Sequence, residues 1–155
     1  MQMITSLSHK ESHSIEKKIL ACNPLLEAFG NSKTVRNDNS SRFGKYVQIF
    51  FGGDNTIKGA NIISYLLEKS RVVSIAPNER TFHAFYALSA SGSYGVQAPQ
   101  HYNYLKQSSC YKAANIDDAN YFKEINASMD EIGFKKDEQK KIWSIVATIL
   151  DLGNL

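Results

Sequence analysis

The chain has 155 residues, 43% of them hydrophobic and 21% charged, with a formal net charge of +3. Those proportions belong to an ordinary folded domain and exclude a disordered chain, while so small a positive charge argues against a nucleic-acid groove. No apolar run reaches the roughly 18 residues that a membrane span requires, and the first residues lack a basic region leading into an apolar signal core. The expectation is a cytoplasmic protein with no membrane span and no nucleic-acid partner.

Taken in order, residues 1–7 read as the tail of a helix and residues 8–14 as a polar connection, in which His9 and His13 stand four apart without a third ligand. From Ile15 the apolar residues Ile19, Cys22, Leu26 and Phe29 recur at helical spacing, with Ser14 as an N-cap and Gly30 as a stop. Pro24 lacks the backbone donor and clashes with the preceding turn, so a bend near Leu20 is expected. After a polar stretch, Tyr46-Val47-Gln48-Ile49-Phe50-Phe51 is β-rich, residues 52–55 form a turn and residues 57–65 return as a second strand, a hairpin. Residues 66–73 read as a short amphipathic turn leaving the sheet.

Residues 79–90 form a helix whose Phe82, Phe85 and Tyr86 make a core stripe, ending at Ser91-Gly92. His83, set between aromatic residues and without a paired carboxylate or nucleophile, reads as a hydrogen-bonded core residue and not as a catalytic base. Residues 94–115 read as a long connection. Two helices follow: residues 117–132, with Phe122, Ile125, Met129 and Ile132 on one face, and residues 137–152, with Ile142, Ile145, Val146, Ile149 and Leu152. Asp117 and Asp137 are their natural N-caps, Gly133 and Gly153 their stops, and Trp143 belongs at the edge of the second face. Cys22 and Cys110 have neither disulfide nor metal spacing. Asn39-Ser40-Ser41 and Asn126-Ala127-Ser128 fit the glycosylation pattern, but no secretory context accompanies them.

The chemistry concentrates in Arg36-Asn37-Asp38-Asn39-Ser40-Ser41-Arg42-Phe43-Gly44-Lys45. Its hydroxyls are hard oxygen ligands suited to Mg²⁺, its guanidinium groups neutralise phosphoryl oxygens, and Gly44 lets backbone pass close to whatever they hold. A plain turn uses the same residue types, since Asn, Asp and Ser fold back on their own backbone.

In its setting, behind Asn23-Pro24-Leu25-Leu26-Glu27-Ala28-Phe29-Gly30-Asn31, the stretch resembles the myosin motor domain. Further matches follow in that family's order: Tyr65-Leu66-Leu67-Glu68-Lys69-Ser70-Arg71-Val72, Glu79-Arg80-Thr81-Phe82-His83-Ala84-Phe85-Tyr86, Met129-Asp130-Glu131-Ile132-Gly133-Phe134 and Leu152-Gly153-Asn154. The resemblance implies an α/β fold, a fragment of the P-loop NTPase-type motor, mainly helices with a two-stranded piece of the central sheet. Residues 1–155 are then one partial motor domain carrying a surface loop, switch I, the sheet hairpin and the upper 50 kDa helices.

The resemblance implies roles by position. Asn37 and Asn39 belong to the cofactor-binding set, Ser40 helps place the γ-phosphate and attacking water, Ser41 gives its hydroxyl to Mg²⁺, and Arg42 pairs with the second-switch glutamate. ATP and Mg²⁺ are the implied cofactors; actin filaments and the remainder of the motor are the implied partners, with a cytoskeletal location. The sequence holds no G-x-x-x-x-G-K-[ST] phosphate loop, and Asp130-Glu131-Ile132-Gly133-Phe134 is followed by Lys135 where the second switch has Glu. Arg42 is therefore expected to remain solvated, and ATPase activity of these residues alone to be negligible. Two readings follow: a part of an actin-based ATP motor, or a truncated, non-catalytic interaction module.

Overall fold

The computed structural model describes residues 10–53 and 55–155. The reading of residues 1–7 and of the His9/His13 pair lies outside the described residues. The first helix, α1 (Lys10–Gly30), begins before Ser14, so that residue is inside the helix and does not cap it. Pro24 lies within α1 without ending it. The helix ends at Gly30, where nothing larger fits: a Cβ there would stand 2.4 Å from the Phe43 ring.

Two short strands, β1 (Asn31–Ser32) and β2 (Ser40–Ser41), pair antiparallel with Asn31 opposite Ser41 and Ser32 opposite Ser40. They clamp the polar loop. The expected hairpin follows as β3 (Gly44–Phe51) and β4 (Ile57–Tyr65), antiparallel, with an irregularity between Phe50 and Phe51. Tyr46, Phe50, Phe51, Ile63 and Tyr65 on it are exposed. Leu66, immediately after β4, takes a left-handed φ of 55°. A 3₁₀ turn, Lys69–Val72, replaces the amphipathic turn, and its charges do not all face water: Arg71 is only 7% exposed.

The helix α2 (His83–Ser91) starts four residues later than its periodicity predicts. Residues 80–82 are instead extended against the polar loop, with the Arg80 N–H donating to the Lys33 carbonyl at 3.0 Å and Phe82 bridging Ser32. Those backbone groups cannot serve both partners, and the loop takes them. Residues 83–89 of α2 are all buried, as befits a helix enclosed on every side.

The long connection is not structureless. It carries a 3₁₀ turn, Pro99–His101, and the short helix α3 (Asn103–Lys106), and it buries Val96, Tyr102 and Leu105. Helix α4 (Asp118–Ile132) is capped by Asp117, whose side chain accepts from the Ala119 and Asn120 amides, and it stops at Gly133 with φ 108°. Helix α5 (Lys136–Leu152) begins one residue before Asp137; the Glu138 carboxylate accepts from the Lys135 N–H at 2.7 Å and closes the first turn.

Its buried face is turned from the predicted one. Trp143, Val146, Ala147 and Leu150 are buried, whereas Ile145 and Leu152 are exposed. Trp143 is not at an edge: it is 0% exposed, its Nε1 donates to Asn126 Oδ1 at 3.0 Å, and the rings of Phe29 and Phe122 lie 5.8 and 4.8 Å away. A large ring with a single donor settles where that donor finds an acceptor. The core therefore lies among α2, α4 and α5, with Ala28 of α1 joining it, and the polar loop rests against one end.

Candidate functional site

Inside the clamp, the loop is held by its own side chains. The Thr34 N–H donates to the Asn37 carbonyl at 2.8 Å, and the Asn37 N–H donates to Thr34 Oγ1 at 3.1 Å. Asn37 Oδ1 then accepts from the Asn39 N–H at 2.8 Å, an Asx turn that reverses the chain. The amide nitrogen of the Asn37 side chain is engaged by no side chain or backbone group among the described residues.

The sequence-derived site residues divide between two sides of this loop. Asn37, Ser40 and Arg42 line one depression of about 350 Å³ together with Thr34, Val35, Arg36 and Glu79. Asn39 lines a second one, of about 360 Å³, with Glu27, Asn115 and the first turns of α4. Its side chain is committed to protein: Nδ2 donates to Glu27 Oε2 at 3.1 Å, and Oδ1 accepts from Asn31 Nδ2 at 2.9 Å. Ser41 lines neither depression, and its Oγ donates to Asn31 Oδ1 at 3.0 Å. Asp38 is tied as well, its Oδ2 accepting from the Asn115 backbone N–H at 3.2 Å and side-chain amide at 3.1 Å.

Arg42 does not remain solvated. Its Nε donates to Glu68 Oε2 at 2.8 Å, and the Glu68 N–H donates back to the Arg42 carbonyl at 2.9 Å. Glu68 Oε2 also takes Arg71 Nε at 2.9 Å, and Arg71 Nη1 reaches Glu79 Oε2 at 2.8 Å, so charges alternate along a ladder Arg42–Glu68–Arg71–Glu79. The guanidinium of Arg71, through its hydrogen bonds, holds both the Glu68 and the Glu79 carboxyl below the ordinary range. Only Nε of Arg42 is engaged among the described residues, which leaves its terminal nitrogens for another anion.

Behind the loop lies a second polar group. Arg80 is fully buried and forks onto Asp118, Nη2 to Oδ1 at 2.7 Å and Nη1 to Oδ2 at 2.8 Å, with the Tyr86 ring 3.8 Å from its guanidinium carbon. Arg80 Nη2 also meets His83 Nδ1 at 3.5 Å, and His83 Nε2 meets Asn39 Oδ1 at 3.1 Å. Burial, and then the charge of Arg80, lower the His83 pKa to about 3, so the ring is neutral. It is a hydrogen-bonded core residue, as its aromatic setting predicted.

Sequence reasoning missed Asn31, Glu68, Glu79 and His83 as members of this neighbourhood. The only available signal was that all four fall within strings matching one family, since their partners in the loop lie 8 to 44 residues away along the chain. Asn126 and Asn39, the two residues fitting the glycosylation pattern, both have amides engaged inside the fold.

A family model described as the myosin head (motor domain) matches residues 1–155. Myosin-5 of Arabidopsis thaliana is 47% identical over 150 residues, 94% of this chain and 10% of that relative; Myosin-15 of the same plant is 46% identical over 162 residues, 100% and 11%. Myosin-1 of Aspergillus niger (strain ATCC MYA-4892 / CBS 513.88 / FGSC A1513) is 44% identical over 164 residues, 100% of this chain and 13% of that relative. The chain thus spans about a tenth of the length of the curated relatives it matches. With its helices and two small antiparallel sheets carrying the clamped loop, the chain belongs to the myosin head (motor domain) family.

Proposed function

We propose that the chain is part of an actin-based cytoskeletal motor that binds and hydrolyses Mg·ATP, and that residues 37–42 are its switch I, the loop that senses the γ-phosphate and the metal. One observation carries this reading: Asn37, Ser40 and Arg42 converge on a single depression, with the Asn37 amide nitrogen, the Ser40 hydroxyl and the terminal nitrogens of Arg42 engaged by no described residue. Those groups fit a phosphoryl end, being donors for anionic oxygens. Ser41, which spends its hydroxyl proton on Asn31, keeps its oxygen lone pairs for Mg²⁺. When bound, the cation neutralises the charge that develops on the phosphoryl oxygens.

The rest of the site is supplied by the rest of the motor: a phosphate loop for the β- and γ-phosphates and a second-switch carboxylate for the unoccupied end of the Arg42 guanidinium. Two features support a longer parent, the tenth of each relative that the chain spans and the exposed apolar hairpin with both outer edges unpaired among the described residues. These 155 residues alone carry one wall of the site, and their own turnover is negligible.

The test is to recover the native protein from source cells with an antibody raised against residues 97–114 and assay it for actin-activated Mg·ATP hydrolysis. A band far heavier than 17.4 kDa with actin-activated turnover is the expected result. A heavy protein without such turnover refutes the motor reading, and a native 17.4 kDa product points instead to the non-catalytic interaction module.

A further inference from the structure

The hydrogen bonds around Asn39 run in one direction, and groups of fixed polarity set that direction at each end. Asp118 and Glu27 can only accept, and Arg80 can only donate. Arg80 Nη2 beside His83 Nδ1 therefore obliges that nitrogen to accept, which puts the ring proton on Nε2. Glu27 Oε2 obliges the Asn39 amide to present its nitrogen to α1, which turns Oδ1 toward His83 Nε2. The same Oδ1 takes Asn31 Nδ2, which turns Asn31 Oδ1 toward Ser41, and Ser41 must then donate. His83 is fully buried on α2, 44 residues from Asn39, and has no place in the phosphate-facing depression.

We propose that His83, Asn39 and Asn31 are positioning residues, a one-way relay that orients the Ser41 hydroxyl so that its proton points inward and its oxygen lone pairs are left for a divalent cation. Asn39 on this account does not touch nucleotide; it transmits the placement of α2 and of the α4 N-terminus to the loop. The relay rests on reading Ser41 as the cation ligand. A hydroxyl free to rotate would present its proton to the cation in part of its population, and the relay removes that population.

The experiment is site-resolved amide hydrogen exchange on the 155-residue chain, comparing the Asn39 and Arg42 amides with those of α5. His83→Leu fills the core without a donor, whereas His83→Gln offers an amide N–H near the position of Nε2 and an oxygen for Arg80. His83→Leu is expected to speed exchange at Asn39 and Arg42 about tenfold with α5 unchanged, and His83→Gln to restore most of the protection. Unchanged loop exchange in His83→Leu overturns the relay, as does equal acceleration in the loop and α5, or a glutamine that rescues nothing. Should His83→Leu not fold, Asn39→Ala, at an exposed residue, must speed Arg42 alone; if it does not, the relay falls. The readout needs no nucleotide, whereas the actin-activated assay does not depend on the relay, so the two readings fail separately.

Discussion

Lowering the pH from 7 to 5 destabilises this fold through His83. In the folded chain the ring is held to a pKa of about 3, first by burial and then by the Arg80 charge, with Asp38 acting in the opposite sense. In the unfolded chain it takes its ordinary value of about 6.5. Below pH 6.5 the unfolded chain binds a proton that the folded chain refuses, so stability falls with the pH until the folded-state value is reached. At ~1.4 kcal/mol for each pH unit, the loss by pH 5 is about 2 kcal/mol. The other groups facing the ring are Arg80, Asn39 and the edge of Tyr121, whose centroid is 6.1 Å away. The carboxyls of Glu68, Glu79 and Asp130 titrate below their ordinary values in the fold, so what they contribute is lost only as the pH falls further. Urea midpoints measured at both pH values for the natural chain and for His83→Gln isolate the effect. Equal losses between pH 7 and 5 in the two proteins would refute the argument.

Three substitutions probe the rest of the frame. Arg80→Met leaves the Asp118 carboxylate without its fork and is expected to cost about 3–5 kcal/mol in urea unfolding, most of which returns in the double variant Arg80→Met/Asp118→Leu. Trp143→Ala opens the centre of the core and strands Asn126 Oδ1, a loss of about 3–5 kcal/mol by the same assay, with Trp143→Phe costing distinctly less. Gly30→Ala drives a Cβ to within 2.4 Å of Phe43 and is expected to cost about 1–3 kcal/mol, part of it recovered by adding Phe43→Leu. A neutral Gly30→Ala would show that the close approach is not tight.

Local signals were legible where one segment decides its own structure. The α4 cap at Asp117, its stop at Gly133 and the hairpin of β3 and β4 follow from residues a few places apart, and the sequence contains them whole. What it hid were choices made by distant partners. Arg80 and Phe82 belong by periodicity to α2, yet their backbone is drawn into pairing with Lys33 and Ser32. Trp143 lies off the stripe of isoleucines on α5, and only the Asn126 acceptor on α4 explains why the helix turns to bury it. The site was legible as a string and not as a geometry. Nothing in residues 36–45 tells that Arg42 meets Glu68, or that Ser40 and Asn39 occupy opposite sides of the loop.

The hairpin carries a consequence for the accuracy of the loop beside it. Tyr46 opposite Ile63 and Phe50 opposite Gly59 lie on one face, Val47 opposite Ile62 and Ile49 opposite Ala60 on the other. The second face is half-buried and the first, which also carries Gln48 opposite Asn61, is exposed, yet both bear large apolar residues, so the hydrophobic pattern by itself specifies the register weakly. A slip by one residue shifts the strands by about 3.3 Å, more than enough to pull Glu68 from Arg42. The Phe50/Phe51 irregularity at one end and the Arg42–Glu68 clasp at the other therefore act as the pins that index the two strands. The same contact that holds a guanidinium beside the depression lined by Asn37 and Ser40 also sets the alignment of the sheet.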